Sequence, residues 1–144
     1  MKVLFDTSVL VAAIIEPHPM HNRALPWLKR ARKKEIEFFI SCHSLAELYA
    51  VLTTLPVHPR ISPQAAWRLI REDIEKSARI ISISSSEYIA TIKQMADLGV
   101  AGGCIYDALI ARAARKANVD RLLTFDTNDF MRIWPKGEGI IFAP

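Results

Sequence analysis

Lys2-Val3-Leu4-Phe5-Asp6-Thr7-Ser8 opens the chain with an apolar run that stops at an acid. The run is too short for a helix and does not alternate with polar residues, so it reads as a strand buried on both faces. The apolar stretch Thr7 to Ile15 follows at once as a helix, stopped before Pro17. The same arrangement returns far along the chain, where the strand Arg121-Leu122-Leu123-Thr124-Phe125 runs into Asp126-Thr127-Asn128. Between the two lie further strand-like runs, Glu37 to Ser41 and Arg79 to Ile83, and Gly139 to Phe142 supplies a fifth after them. Helical stretches separate them. These are Met20 to Glu35 with a kink or break at Pro26, Ser44 to Leu55, Ser62 to about Lys76, Ser84 to about Gly99, Cys104 to about Asn118, and the short Thr127 to Ile133. Short β-rich runs alternating with longer helices imply an α/β fold: a three-layer α/β/α sandwich around a central parallel sheet. No repeat, linker or low-complexity segment divides residues 1–144, which therefore read as a single domain.

Composition narrows the class. A chain of 144 residues with 51% apolar content can bury a core without disulfides or metal staples, and disorder is excluded. No apolar run is long enough to span a bilayer, and Asp6 interrupts the first one, so neither a membrane protein nor a secretory leader is expected. A cytoplasmic protein is the expectation, with Cys42 and Cys104 as buried free thiols. His18 and His21 are three apart but flanked by Pro17 and Pro19, a loop pair rather than a zinc site. The net charge of +4 is compatible with a nucleic-acid partner without establishing one.

The acids carry the chemistry. Ligands of an open parallel sheet gather beyond the carboxyl ends of its strands, and Asp6 and Asp126 stand there. Each alone also fits a helix N-cap. Asp107 lies in Cys104-Ile105-Tyr106-Asp107-Ala108-Leu109-Ile110-Ala111, apolar almost all round. A helix of that kind is buried, and a carboxylate within it needs a cationic partner or a metal. Glu47, in Ser44-Leu45-Ala46-Glu47, fits either a capping box with Ser44 or a position facing the strand ends. Carboxylates gathered without a cation raise one another's proton affinity, and a hard divalent ion such as Mg²⁺ or Mn²⁺ removes the conflict. Such an ion polarises a phosphodiester and activates water, so no side-chain nucleophile is required.

Phe5-Asp6-Thr7-Ser8, Ser44-Leu45-Ala46-Glu47, Tyr106-Asp107-Ala108-Leu109-Ile110-Ala111 and Leu123-Thr124-Phe125-Asp126-Thr127-Asn128-Asp129-Phe130 together resemble the PIN-domain nucleases in order and spacing. The size is most similar to that of the VapC-type toxins of toxin–antitoxin pairs. The resemblance implies a Mg²⁺- or Mn²⁺-dependent endoribonuclease with metal ligation at Asp6 and Asp107, completed by Glu47 and Asp126. It also implies support from the hydroxyls of Thr124 and Ser8. Asp129 is an additional acid that either reaches the metal through water or caps the last helix. An RNA substrate, a homodimer and a small antitoxin partner come with the same resemblance.

Lys29, Arg30, Arg32, Lys33 and Lys34 form one basic cluster, and Arg112, Arg115 and Lys116 another. Each reads as a solvated face or as a phosphate contact. Apolar residues of the helices, including Val9, Leu10, Ile14 and the Leu48–Leu55 stretch, exceed what a small domain readily covers and suggest the face of a twofold dimer. The alternative function is a non-catalytic PIN-like module that binds RNA or protein. A phosphatase with Asp6 as nucleophile needs a second aspartate where Ser8 stands, and an acidic-pocket signalling domain needs adjacent acids after the first strand.

Overall fold

In the computed structural model, which describes residues 1–144, the sheet has five strands. They are β1 (Lys2–Phe5), β2 (Glu37–Ser41), β3 (Arg79–Ile81), β4 (Arg121–Leu123) and β5 (Ile141–Phe142). All pair in parallel, in the order β3-β2-β1-β4-β5. Leu4 at the centre faces Phe39 on one side and Leu122 on the other. The helices are α1 (Thr7–Ile14), α2 (His21–Arg32), α3 (Cys42–Thr54), α4 (Pro63–Ile70), α5 (Ser85–Leu98), α6 (Cys104–Lys116) and α7 (Thr127–Ile133). A single π-turn, Arg71–Glu75, extends α4.

The alternation of side chains along a strand sorts the core into two layers. Val3, Phe5, Phe38, Ile40 and Leu123 pack with Leu10, Leu28, Leu48, Leu52 and Ile70 of α1 to α4. Leu4, Phe39 and Leu122 point the other way, onto Met95, Ile110, Ala114 and Phe130 of α5, α6 and α7. This is the three-layer sandwich anticipated from the sequence. A one-residue slip of β1 would turn Leu4 and Phe5 to the wrong layers, which fixes the register. No helix is long and apolar enough to cross a membrane.

Several local expectations are corrected. The third helix begins at Cys42, a half-turn before Ser44, because the Ser41 hydroxyl accepts from the His43 amide and caps it there. Ser44 is therefore inside the helix and buried, and no capping box with Glu47 forms. Pro26 neither breaks α2 nor marks its end. The carbonyl it leaves without its helical partner is that of Asn22, which is exposed to solvent. β3, β4 and β5 are each shorter than predicted: β3 and β5 are edge strands, and β4 ends at Leu123, where the Thr124 hydroxyl turns to Asp6. Cys42 and Cys104 are free but only partly buried. Val9, Leu10, Leu48 and Leu52 are fully buried within the chain's own core, so they offer no surface to a second copy. The apolar residues open to solvent include instead Tyr49, Trp67 and Ile80, around a groove between α3, α4 and β3.

Candidate active site

The strand order reverses direction between β1 and β4: the chain builds outward from β1 through β2 to β3, then returns to lay β4 and β5 on the other side. The connections therefore leave in opposite directions above this pair, and a crevice opens at their carboxyl ends. Asp6 follows β1 directly, and Asp126 stands three residues past the end of β4, at the head of α7. Asp6, Glu47, Asp107 and Asp126 all line one cleft of about 380 Å³, with Thr7, Ser8 and His18 and an apolar rim that includes Val11, Val51 and Phe125.

Asp6 is 3% exposed and the most constrained of the four. Its Oδ1 accepts from the Thr7 amide at 2.7 Å, so the N-cap role is real. Its Oδ2 accepts from the Ser8 hydroxyl at 2.6 Å and the Thr124 hydroxyl at 2.9 Å. Both hydroxyls act twice: Thr124 Oγ1 accepts from the Asp126 amide at 2.9 Å, and Ser8 Oγ from the Phe125 amide at 3.2 Å. The ends of β1 and β4 are thereby tied through one carboxylate. Burial pushes the Asp6 carboxyl above its ordinary range, the three donors oppose that, and Asp126 adds to it.

Glu47 arrives from α3. Its Oε1 accepts from the Thr7 hydroxyl at 3.0 Å, joining it to the turn after β1. His43, one turn earlier on α3, brings Nε2 to 3.4 Å from the same oxygen without the alignment of a hydrogen bond. Asp126 heads α7 but makes no side-chain cap bond, and it is exposed toward the cleft. Asp107 lies in the first turn of α6 and is half-buried, rather than enclosed by the apolar helix as the sequence suggested. The fully buried residues of α6 begin only at Ala108. Burial, then Asp6, Asp126, Glu47 and Asp129 in turn, push its carboxyl up to about 7. Asp129 approaches Asp107 from α7, with one carboxylate oxygen of each and the Cys104 sulfur all within 4.8 Å of one another.

No lysine or arginine lines the cleft, and the basic groups beside the carboxylates are imidazoles, His18 in the lining and His43 near Glu47. Hard oxygen donors without a counter-charge fit Mg²⁺ or Mn²⁺ and fit zinc poorly. The predicted basic clusters are partly spent on structure. Arg32 pairs with Asp73, Arg30 with Glu35, and Lys116 reaches both Glu87 at 2.8 Å and the Ser82 carbonyl at 3.0 Å. Sequence reasoning missed Thr7 and His43. The only local signal was the four-residue spacing of His43 and Glu47, which places them on one helix face.

Comparison with known proteins agrees with this geometry. The family model for the PIN domain matches residues 3–133. The ribonuclease VapC40 of Mycobacterium tuberculosis is 35% identical over 121 residues, covering 84% of each chain. The ribonuclease VapC27 of the same organism is 33% identical over 109 residues, 76% of this chain and 74% of its own. Among solved structures, VapBC2 from Rickettsia felis, bound to a DNA fragment from its promoter, shares the fold with a TM-score of 0.66 at 24% identity. That match covers 99% of this chain and 98% of the other. With the acidic crevice and the matched sequence in agreement, the chain belongs to the PIN-domain family, and the curated relatives it matches are VapC ribonucleases.

Proposed function

We propose that the protein is a Mg²⁺- or Mn²⁺-dependent endoribonuclease, the toxin of a type II toxin–antitoxin pair. The observation that carries this reading is the set of four carboxylates in one crevice with no lysine or arginine among them. The names of the VapC relatives support RNA as the substrate. In the proposed site Asp6 and Asp107 are the principal ligands, and Glu47 and Asp126 complete the cluster. Thr124 and Ser8 hold Asp6 in a single orientation by donating to one oxygen. Thr7 does the same for Glu47. Asp129 adds negative charge beside Asp107. A bound Mg²⁺ or Mn²⁺ supplies charge neutralisation for the phosphodiester and polarisation of the attacking water. The chain's own contribution is to keep the carboxylates converged, so that no reorganisation is needed when charge develops on the phosphate.

The same reading carries a cytoplasmic location, a small antitoxin and a homodimer. Assembly would cover the exposed Tyr49, Trp67 and Ile80. Purified protein incubated with total RNA tests the activity: cleavage is expected with Mn²⁺ or Mg²⁺, absent in excess EDTA and restored by re-addition. Undiminished cutting in EDTA, by protein free of contaminating nuclease, would overturn the mechanism. Light scattering at micromolar concentration tests the dimer, and a monomer mass counts against it.

A further inference from the structure

We infer that Tyr106 is a stacking platform for one base of single-stranded RNA, next to the bond that is cut. The inference rests on the ribonuclease reading above and adds to it how the site grips its substrate. Tyr106 immediately precedes Asp107 on the first turn of α6. Its ring lies nearly parallel to that of His43 on α3, with centroids 4.9 Å apart and planes inclined by 8°. One face is thus covered, yet the residue remains 48% exposed, which leaves the other face open to solvent. His43 is itself held, its side chain only 18% exposed and its edge against Glu47. The aromatic surface is therefore backed by a second ring and fixed to both helices that carry the proposed ligands.

Surroundings favour a flat ligand. The turn before α6 is Gly102-Gly103, and a Cβ at Gly102 would meet nothing within 4 Å, while one at Gly103 would meet only the Tyr106 ring, at 4.0 Å. No side chain from that turn crowds the open face. The Tyr106 backbone amide donates to the Gly103 carbonyl at 3.0 Å, but its hydroxyl has no protein partner, so no polar contact fixes the ring at the surface. Exposed aromatics beside a phosphate-handling site bind unstacked bases, which present a π-face whatever their sequence. Tyr106 is joined to the crevice through His43, whose Nε2 is 3.4 Å from the Glu47 carboxylate that lines it, so a base stacked on the open ring face would belong to a nucleotide at the edge of the crevice.

The test uses a short single-stranded RNA spanning a bond that the wild-type protein cuts in total RNA. Tyr106→Ala should raise KM roughly five- to 150-fold, the range of base–aromatic stacking, with kcat changed less than threefold. Tyr106→Phe should restore KM, and Tyr106→Leu, which keeps apolar cover over His43 without a π-face, should not. An abasic position beside the cut should cost wild type a similar factor and cost Tyr106→Ala nothing more. With Asp6→Asn preventing cleavage, 2-aminopurine at that position should be quenched on binding in a Tyr106-dependent way. Wild-type KM in both Tyr106→Ala and Tyr106→Leu overturns the inference while leaving the nuclease reading intact. So does a loss of Mn²⁺ affinity by calorimetry with KM unchanged, which would make the residue a prop for Glu47. So too does loss of partner-protein binding with RNA binding untouched. A wild-type protein that cuts no RNA removes the function and the inference together.

Discussion

Repulsion within the crevice falls mainly on Asp107, whose carboxyl is pushed up to about 7 by burial and by the surrounding acids. Between its ordinary value near 3.8 and about 7 the folded protein binds a proton that the unfolded chain does not. Stability of the metal-free protein therefore falls as pH rises through that window. Asp107→Asn removes the conflict. In EDTA at pH 8 the variant should melt a few degrees above wild type, and at pH 4 the advantage should vanish. Saturating Mn²⁺ should reverse the order, since only wild type gains the full binding energy. Cleavage by Asp6→Asn or Asp107→Asn should drop roughly a thousandfold, the scale of several kcal/mol of lost charge stabilisation. Near wild-type rates at saturating metal in both would refute the ligand assignment. Thr124 makes a second test. Thr124→Val keeps the shape but strips Asp6 of one donor and leaves the Asp126 amide without its acceptor. The expected cost is about 1–3 kcal/mol in denaturant unfolding, together with weaker Mn²⁺ binding. An unchanged midpoint would show that the hydroxyl does not tie the two strand ends.

At the scale of elements, α5 and α6 are joined by Lys116 reaching Glu87, which also closes the capping box with Ser84. The Lys116 ammonium and the Ser84 groups hold the Glu87 carboxyl down at about 2, below its ordinary 4.5. Here the unfolded chain binds more protons between those values, so the contribution is present above about 4.5 and is lost as pH falls to about 2. The urea midpoint of wild type should exceed that of Glu87→Gln at pH 6, and the gap should close toward pH 2. A gap that stays constant would mean that Glu87 acts only through its shape. This box was legible because both partners lie within one turn. Ser44 and Glu47 have the same spacing and form none, because spacing does not reveal which turn comes first: Ser41 starts the helix earlier and turns Glu47 to the crevice. Asp6 and Asp126 were legible as strand-end acids, since strand ends are local features and the position of the crevice follows from strand order. The Thr7 hydroxyl, bonded to Glu47 across 40 residues, and the His43–Tyr106 stack were not, because each depends on how helices distant in sequence are docked.

For the molecule as a whole, a chain of net charge +4 surrounds a crevice that is strongly negative when no cation is bound. The basic majority outside can attract the RNA backbone, whereas the crevice itself repels a bare phosphate. The same contrast gives the proposed antitoxin a way to silence the site. An arginine or lysine inserted among Asp6, Glu47, Asp107 and Asp126 would neutralise them as the metal does, through charge-assisted hydrogen bonds in a partly desolvated place. Metal and inhibitor would then compete, and the competition is measurable. Titrating the co-expressed partner into the protein by calorimetry should show affinity falling as Mn²⁺ rises from zero to saturation. Asp107→Asn should weaken binding of the partner, since one member of a close charge pair has been removed, by an amount that scales with how fully the pair is desolvated. An inhibitor that merely covers the RNA path would leave the four acids untouched. Its affinity would be independent of Mn²⁺ and equal for wild type, Asp6→Asn and Asp107→Asn, and that result would remove the insertion of a cation from the account of inhibition.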